Sequence, residues 1–143
     1  MRAACVIAAL ICAGVAHADD RLGAPTRDAF RAGLASKPYE PGARAGRMIA
    51  GASKVVRCMK YTDVRKLMGE PAFGNPTHRS GDPGGKSVGT AWTYILSPVR
   101  TIEDQYDRMI TVWFDEVGRV KSLNPRGVDD VLPLRANAQQ KCS

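Results

Sequence analysis

The sequence predicts an α+β fold, with two short helices packed as one layer on a small antiparallel β-sheet. Three observations carry it. Apolar residues recur at helical spacing between Val55 and Met68, the pattern changes to strand-like alternation beyond Gly69, and RMITVWFDEVGRVKSL folds back on itself around Asp115–Gly118. A strand that returns through a tight turn belongs to a hairpin, so the sheet is expected to be an antiparallel meander.

Along the chain, Thr26 is placed to cap a short helix through about Leu34, with Phe30 and Leu34 on one face. SKPYEPGARAG then breaks any regular pattern, and residues 19–46 read as a flexible N-terminal arm outside the main core. The folded unit is expected over residues 47–127, opening near Met48. Val55, Val56 and Met59 suit one short helix face, and Val64, Leu67 and Met68 repeat at i, i+3, i+4 on a second. Gly69 supplies the positive-φ stop and Pro71 prevents resumption. GNPTHRSGDPGGKSVG is expected to be a long connecting loop. In TAWTYIL, Thr90, Trp92, Tyr94 and Leu96 share one strand face. In the hairpin Ile110, Val112 and Phe114 alternate inward, and Gly118 takes the left-handed turn position. Residues 128–143 read as a C-terminal tail.

The N-terminus reads as an export signal, residues 1–18. Arg2 is followed by the apolar run AACVIAALICAGV, and Ala16-His17-Ala18 presents small residues where a signal peptidase inspects the chain. A spanning helix needs about 20 apolar residues, and Asp19-Asp20 end this run too early. Cleavage after Ala18 would remove 18 of 143 residues and leave 125, enough for one domain with a modest core. Ile11 stands where a lipoprotein needs a small residue before its acylated cysteine, Cys12, so the periplasm is the expected location, with outer-membrane association as a minor alternative.

Cys58 and Cys142 remain after processing. An even pair in an oxidising compartment is expected to form a disulfide, and two sulfurs without further ligands at metal spacing are a weak zinc site. No metal and no cofactor is expected. The chain carries 21 Lys and Arg against 14 Asp and Glu, and the signal removes only Arg2, so the mature protein stays basic. An exported basic protein meets anionic lipid headgroups and acidic protein faces rather than nucleic acid. Arg57, Lys60 and Arg65 are the candidates for such a surface.

Enzyme chemistry finds little support. His78 is the single histidine left after processing; with Ser80 and Asp82 it completes the residue types of a hydrolytic triad, but on a Gly-rich loop where such residues are ordinarily turn-formers. Glu103, Asp104 and Asp107 cluster in another loop, where solvation leaves no reason for the split pKa values of an acid–base pair. Trp92 and Tyr94 suit either the core or a binding hot spot, and Trp113 points opposite Ile110, Val112 and Phe114.

CMKYTDVRKLMGEP, then WTY, then ITVWFDEVGRV together resemble the SmpA/OmlA (BamE-like) family of accessory subunits of the outer-membrane β-barrel assembly machine. Met59 keeps the centre of the family's Gly-Met-Thr helix start, and Val64 stands five residues before Gly69. Met68-Gly69-Glu70-Pro71 matches the helix stop, Trp92 and Tyr94 the aromatic strand, and Phe114-Asp115, Gly118 and Val120 the hairpin. The likeness spans Val55 to Leu123. Cys58 stands where the family has Gly, and Lys60 where it has the capping Thr, so Thr62 or water must serve the amides of the second helix. The resemblance implies an exported cell-envelope binding or scaffold protein with envelope proteins as partners. The same module occurs in proteins resembling β-lactamase inhibitor proteins, which makes a periplasmic inhibitor or sensor of an envelope enzyme the alternative.

Overall fold

Thr26 begins the first helix, α1 (Arg27–Leu34): its hydroxyl accepts from the Ala29 N–H at 2.8 Å, which satisfies one of the amides a helix start leaves bare. The computed structural model describes residues 20–136 and 141–143; the predicted signal, residues 1–18, lies outside them, as does Asp19. Two further helices follow, α2 (Arg44–Ala52) and α3 (Tyr61–Met68), and then four strands, β1 (Phe73–Thr77), β2 (Gly89–Ile95), β3 (Met109–Phe114) and β4 (Val120–Arg126). The strands form one antiparallel sheet in the order β1-β2-β3-β4. The α+β architecture, the hairpin and the Thr26-capped helix are those predicted; what differs is the helix expected over Val55, Val56 and Met59, whose place is taken earlier in the chain by α2.

The difference arises upstream of Val55. Met48 and Ala52, four apart, are buried on α2, whereas Val55 lies in a turn bonded back to Ala52 O at 3.1 Å and Val56 is exposed. The Gly- and Ala-rich composition that suggested a loose arm serves close helix packing instead. A methyl group on Gly51 would lie 2.5 Å from Leu67 O and 2.9 Å from Met68 Cγ, so α2 and α3 approach as they do because Gly51 has no side chain.

Residues 20–46 are likewise built into the fold. Trp92 Nε1 donates to Arg21 O at 2.8 Å, Arg65 Nη2 donates to Leu22 O at 3.0 Å, and Ala24 is buried in the main cluster. The sequence concealed this because apolar side chains are sparse in the segment; it is anchored partly through backbone carbonyls and partly through Ala24, Phe30, Leu34 and Tyr39. Phe73–Thr77, placed largely in the predicted loop, forms the edge strand β1. Pro76 is tolerated there because an edge strand leaves one row of backbone groups without a ladder partner.

α3 starts at Lys60 with no side-chain cap. Neither Thr62 nor another side chain serves its first amide: Tyr61 N donates to Gly118 O at 2.9 Å, so the β3–β4 turn supplies the acceptor. The helix ends at Gly69, φ +85°, a conformation that costs a residue with a Cβ about 1 kcal/mol or more.

The core has two parts on opposite sheet faces. Trp92, Tyr94, Ile110, Val112 and Phe114 face α2 and α3, where Met48, Ala52, Val64 and Met68 meet them. On the other face Phe73 and Ile95 pack with Leu34, Val99, Phe30, Tyr39 and Tyr106, so α1 covers one end of that face. The predicted tail also joins the fold: Val128 and Val131 are buried, Leu134 pairs with Leu123 through two 2.8 Å hydrogen bonds, and Cys142 is joined to Cys58 by a disulfide.

Candidate binding face

β3 sets up the site through its period of two. With Ile110, Val112 and Phe114 turned into the core, Met109, Thr111 and Trp113 must stand on the opposite face. The register lines up their neighbours. Asn75, Ala91, Trp113 and Ser122 form one cross-strand row, and Phe73, Thr93, Thr111 and Asn124 the next. α1 and its cluster cover the Phe73 and Ile95 end and leave the row of Trp113 open. Trp113 is 40% exposed, between Ala91 and Ser122, whose small side chains do not hide an indole. A large aromatic surface framed by Asn, Ser and Thr is suited to contact: the ring supplies desolvation energy, and the amides and hydroxyls supply hydrogen bonds.

A β-bulge follows immediately. Trp113 pairs with Ser122 but Phe114 pairs with Val120, so Lys121 is the extra residue on β4. Arg57 secures it: Nη1 donates to Lys121 O and to Arg135 O, both at 3.2 Å.

The structure separates the sequence-predicted residues. Trp92 and Tyr94 are wholly buried, which corrects their reading as contact residues: with no exposed surface they are core. Trp92 packs against Phe114 with ring centres 4.8 Å apart, and Tyr94 donates from its hydroxyl to Gly69 O at 3.2 Å. Burial pushes the Tyr94 hydroxyl well above its ordinary pKa; the positive charge of Arg65 opposes this and the negative charge of Glu70 adds to it. Arg65 is also withdrawn from the predicted basic surface, and Arg57 is fixed in place by backbone carbonyls. Arg65 lies over the Trp92 ring at 4.8 Å and pairs with Glu70 at 3.1 Å, while Arg57 holds β4 to the tail. Lys60 keeps an exposed side chain and Trp113 is 40% exposed, so these two remain as candidates for contact.

On the loop after β1, His78 Nδ1 donates to Gly85 O at 2.9 Å, and Asp82 shapes a turn through its backbone; the His78, Ser80 and Asp82 side chains do not bond one another. Asp104 accepts from the Arg100 and Thr101 amides, which holds its carboxyl below the usual range and organises that loop. Among the described residues no group of three or more His, Cys, Asp or Glu side chains is gathered as a metal site, and no helix is long and apolar enough to cross a membrane.

Sequence reasoning missed Asn75, Thr111, Ser122 and Asn124. The last three were accessible, because the hairpin turn fixes which β4 residues lie beside Trp113. Asn75 was hidden by Pro76, which argued against a strand. No protein-family model matches the chain, and neither a curated protein nor a solved structure is similar to it.

Proposed function

We propose that the chain is an exported cell-envelope protein that works by binding, a scaffold component resembling the accessory subunit of the outer-membrane β-barrel assembly machine, and that it engages its partner through the sheet face around Trp113. The observation that carries this reading is the half-open indole on a face where Phe73 is buried and Phe30, Tyr39 and Tyr106 are packed together in a partly covered cluster. Soluble domains bury a tryptophan where they can, and one left on a flat face among amides and hydroxyls has the composition of a binding hot spot. Envelope proteins are the partners this reading requires.

The alternative reading, an inhibitor or sensor of an envelope enzyme, draws on residues 78–88. This loop leaves β1 beside Asn75 and is braced by the His78–Gly85 hydrogen bond, so it projects as a shaped element that a cleft can accept. Crosslinking the mature protein in its native envelope, followed by recovery and mass spectrometry, separates the two. Co-recovery of barrel-assembly subunits, lost on Trp113→Ala, supports the scaffold. Recovery of a single soluble enzyme supports the inhibitor, and recovery unaffected by Trp113→Ala removes the face from both.

A further inference from the structure

A second feature lies beside the β3–β4 turn. A cleft of about 780 Å³ opens between the loop after β1, the turn itself and the disulfide-bonded tail. Four cationic side chains line it, Arg57, Arg79, Lys121 and Lys141, against the carboxylates of Asp115 and Glu116. The Asp115 carboxylate is already engaged: one oxygen accepts from the Val117 and Arg119 amides at 3.0 and 2.8 Å, closing the turn. Among the described lining residues Glu116 is therefore the one acidic side chain without a structural bond.

Three devices deliver the four cations. The bulge on β4 presents Lys121, the loop after β1 brings Arg79, and the Cys58–Cys142 bond holds Lys141 beside Arg57, since each precedes one of the paired cysteines. Arg57 is fixed by its bonds to Lys121 O and Arg135 O, so its charge stands in the cleft wall at little further entropic cost. Four cations against two carboxylates leave the described lining with an excess of positive charge, which focuses the field in a concavity, and the volume is that of a small-molecule site.

We propose that this cleft binds a soluble polyanion bearing two or more phosphate or sulfate groups, with Arg79, Lys121 and Lys141 as hydrogen-bond donors and Arg57 as a fixed positive charge. Several cations spread around a cleft of this size match several anionic groups rather than one. The site is independent of Trp113, so it stands or fails apart from the envelope-partner reading.

Titration calorimetry of the full mature chain with inorganic tripolyphosphate tests it. Saturable one-to-one binding is expected, weakening as salt is raised. Lys121→Ala and Arg79→Ala should each weaken it about fivefold, while Lys37→Ala, the same charge loss outside the cleft, changes it less than about twofold. Glu116→Gln should tighten binding, a gain that damage to the fold cannot imitate. Cys142→Ser is expected to weaken it by releasing the tail; should that variant fail to fold, Lys141→Ala carries the same test. Absence of saturable binding, equal losses from Lys37→Ala and Lys121→Ala, or binding to mixed anionic and zwitterionic phospholipid vesicles without binding to tripolyphosphate would each overturn the proposal.

Discussion

Arg65 lays its guanidinium over the indole of Trp92, with Cζ 4.8 Å from the ring centre, and the two side chains hold adjacent carbonyls of the N-terminal segment: Arg65 Nη2 that of Leu22, Trp92 Nε1 that of Arg21. One stacked pair thus ties residues 20–24 to both the helical layer and the sheet. Arg65→Ala removes a charged hydrogen bond and a cation–π contact and should cost about 2 kcal/mol. Arg65→Lys should recover only part of it, because an ammonium lacks the planar fork that bonds and stacks at once. Urea denaturation followed by tryptophan fluorescence measures both; a loss below about 0.5 kcal/mol for Arg65→Ala would mean that the segment is held by something else.

Cys58 sits at φ +63°, the left-handed region that favours glycine. Its strain and its disulfide act in opposite directions. Closing a loop across 84 residues stabilises by about 4 kcal/mol, while a Cβ in that conformation costs about 1 kcal/mol. Cys58→Gly and Cys58→Ala both lose the bond, and Cys58→Gly should be the more stable of the two by about 1 kcal/mol. Equal stabilities would place the residue outside the left-handed region.

Gly51→Ala tests the contact of α2 with α3. Helix propensity alone favours the change by about 1 kcal/mol, but the added methyl would meet Leu67 O at 2.5 Å. Net destabilisation of about 1–2 kcal/mol is expected in thermal melts, and a rise in Tm would contradict the close approach.

Tyr94 sets an alkaline limit. An unfolded tyrosine releases its proton near the ordinary value of 10.0, whereas burial keeps the folded one protonated to higher pH. Above pH 10 the unfolded state therefore binds fewer protons than the folded state. Stability is complete below that value and falls as pH rises past it. Tyr94→Phe should flatten this decline while costing about 1 kcal/mol at neutral pH from the lost bond to Gly69 O. Denaturation series at neutral pH and above pH 10 decide it; an unchanged slope would mean that Tyr94 titrates normally.

Legibility in the sequence followed the strength of local periodicity. β3 and β4 alternate cleanly around a Gly turn, and α3 runs into Gly69 with Pro71 behind it, so both could be placed before any coordinates. α2 could not, because Arg, Gly and Ala give little apolar contrast and its reason for being a helix is the groove at Gly51. The Cys58–Cys142 pair was legible from parity and the expected oxidising compartment, and the bond brings Arg57 and Lys141 into the lining of one cleft. The aromatic residues were divided by burial alone: Trp92 and Tyr94 share the inward face with Leu96, and one strand away Trp113 takes the other. Arg65 was misread because two of its partners, the Leu22 carbonyl and the Trp92 ring, lie far from it in the sequence.

Trp113 is open on its face, so Trp113→Ser should change stability by less than about 1 kcal/mol while abolishing partner contact. Photo-crosslinking in cells, from an unnatural amino acid placed at position 113 and, for comparison, at the exposed helical position Thr62, tests the binding face most directly. The expected result is a discrete crosslinked envelope protein from position 113 and none from position 62. Crosslinks from neither position, or the same products from both, would contradict a partner-binding role for this face.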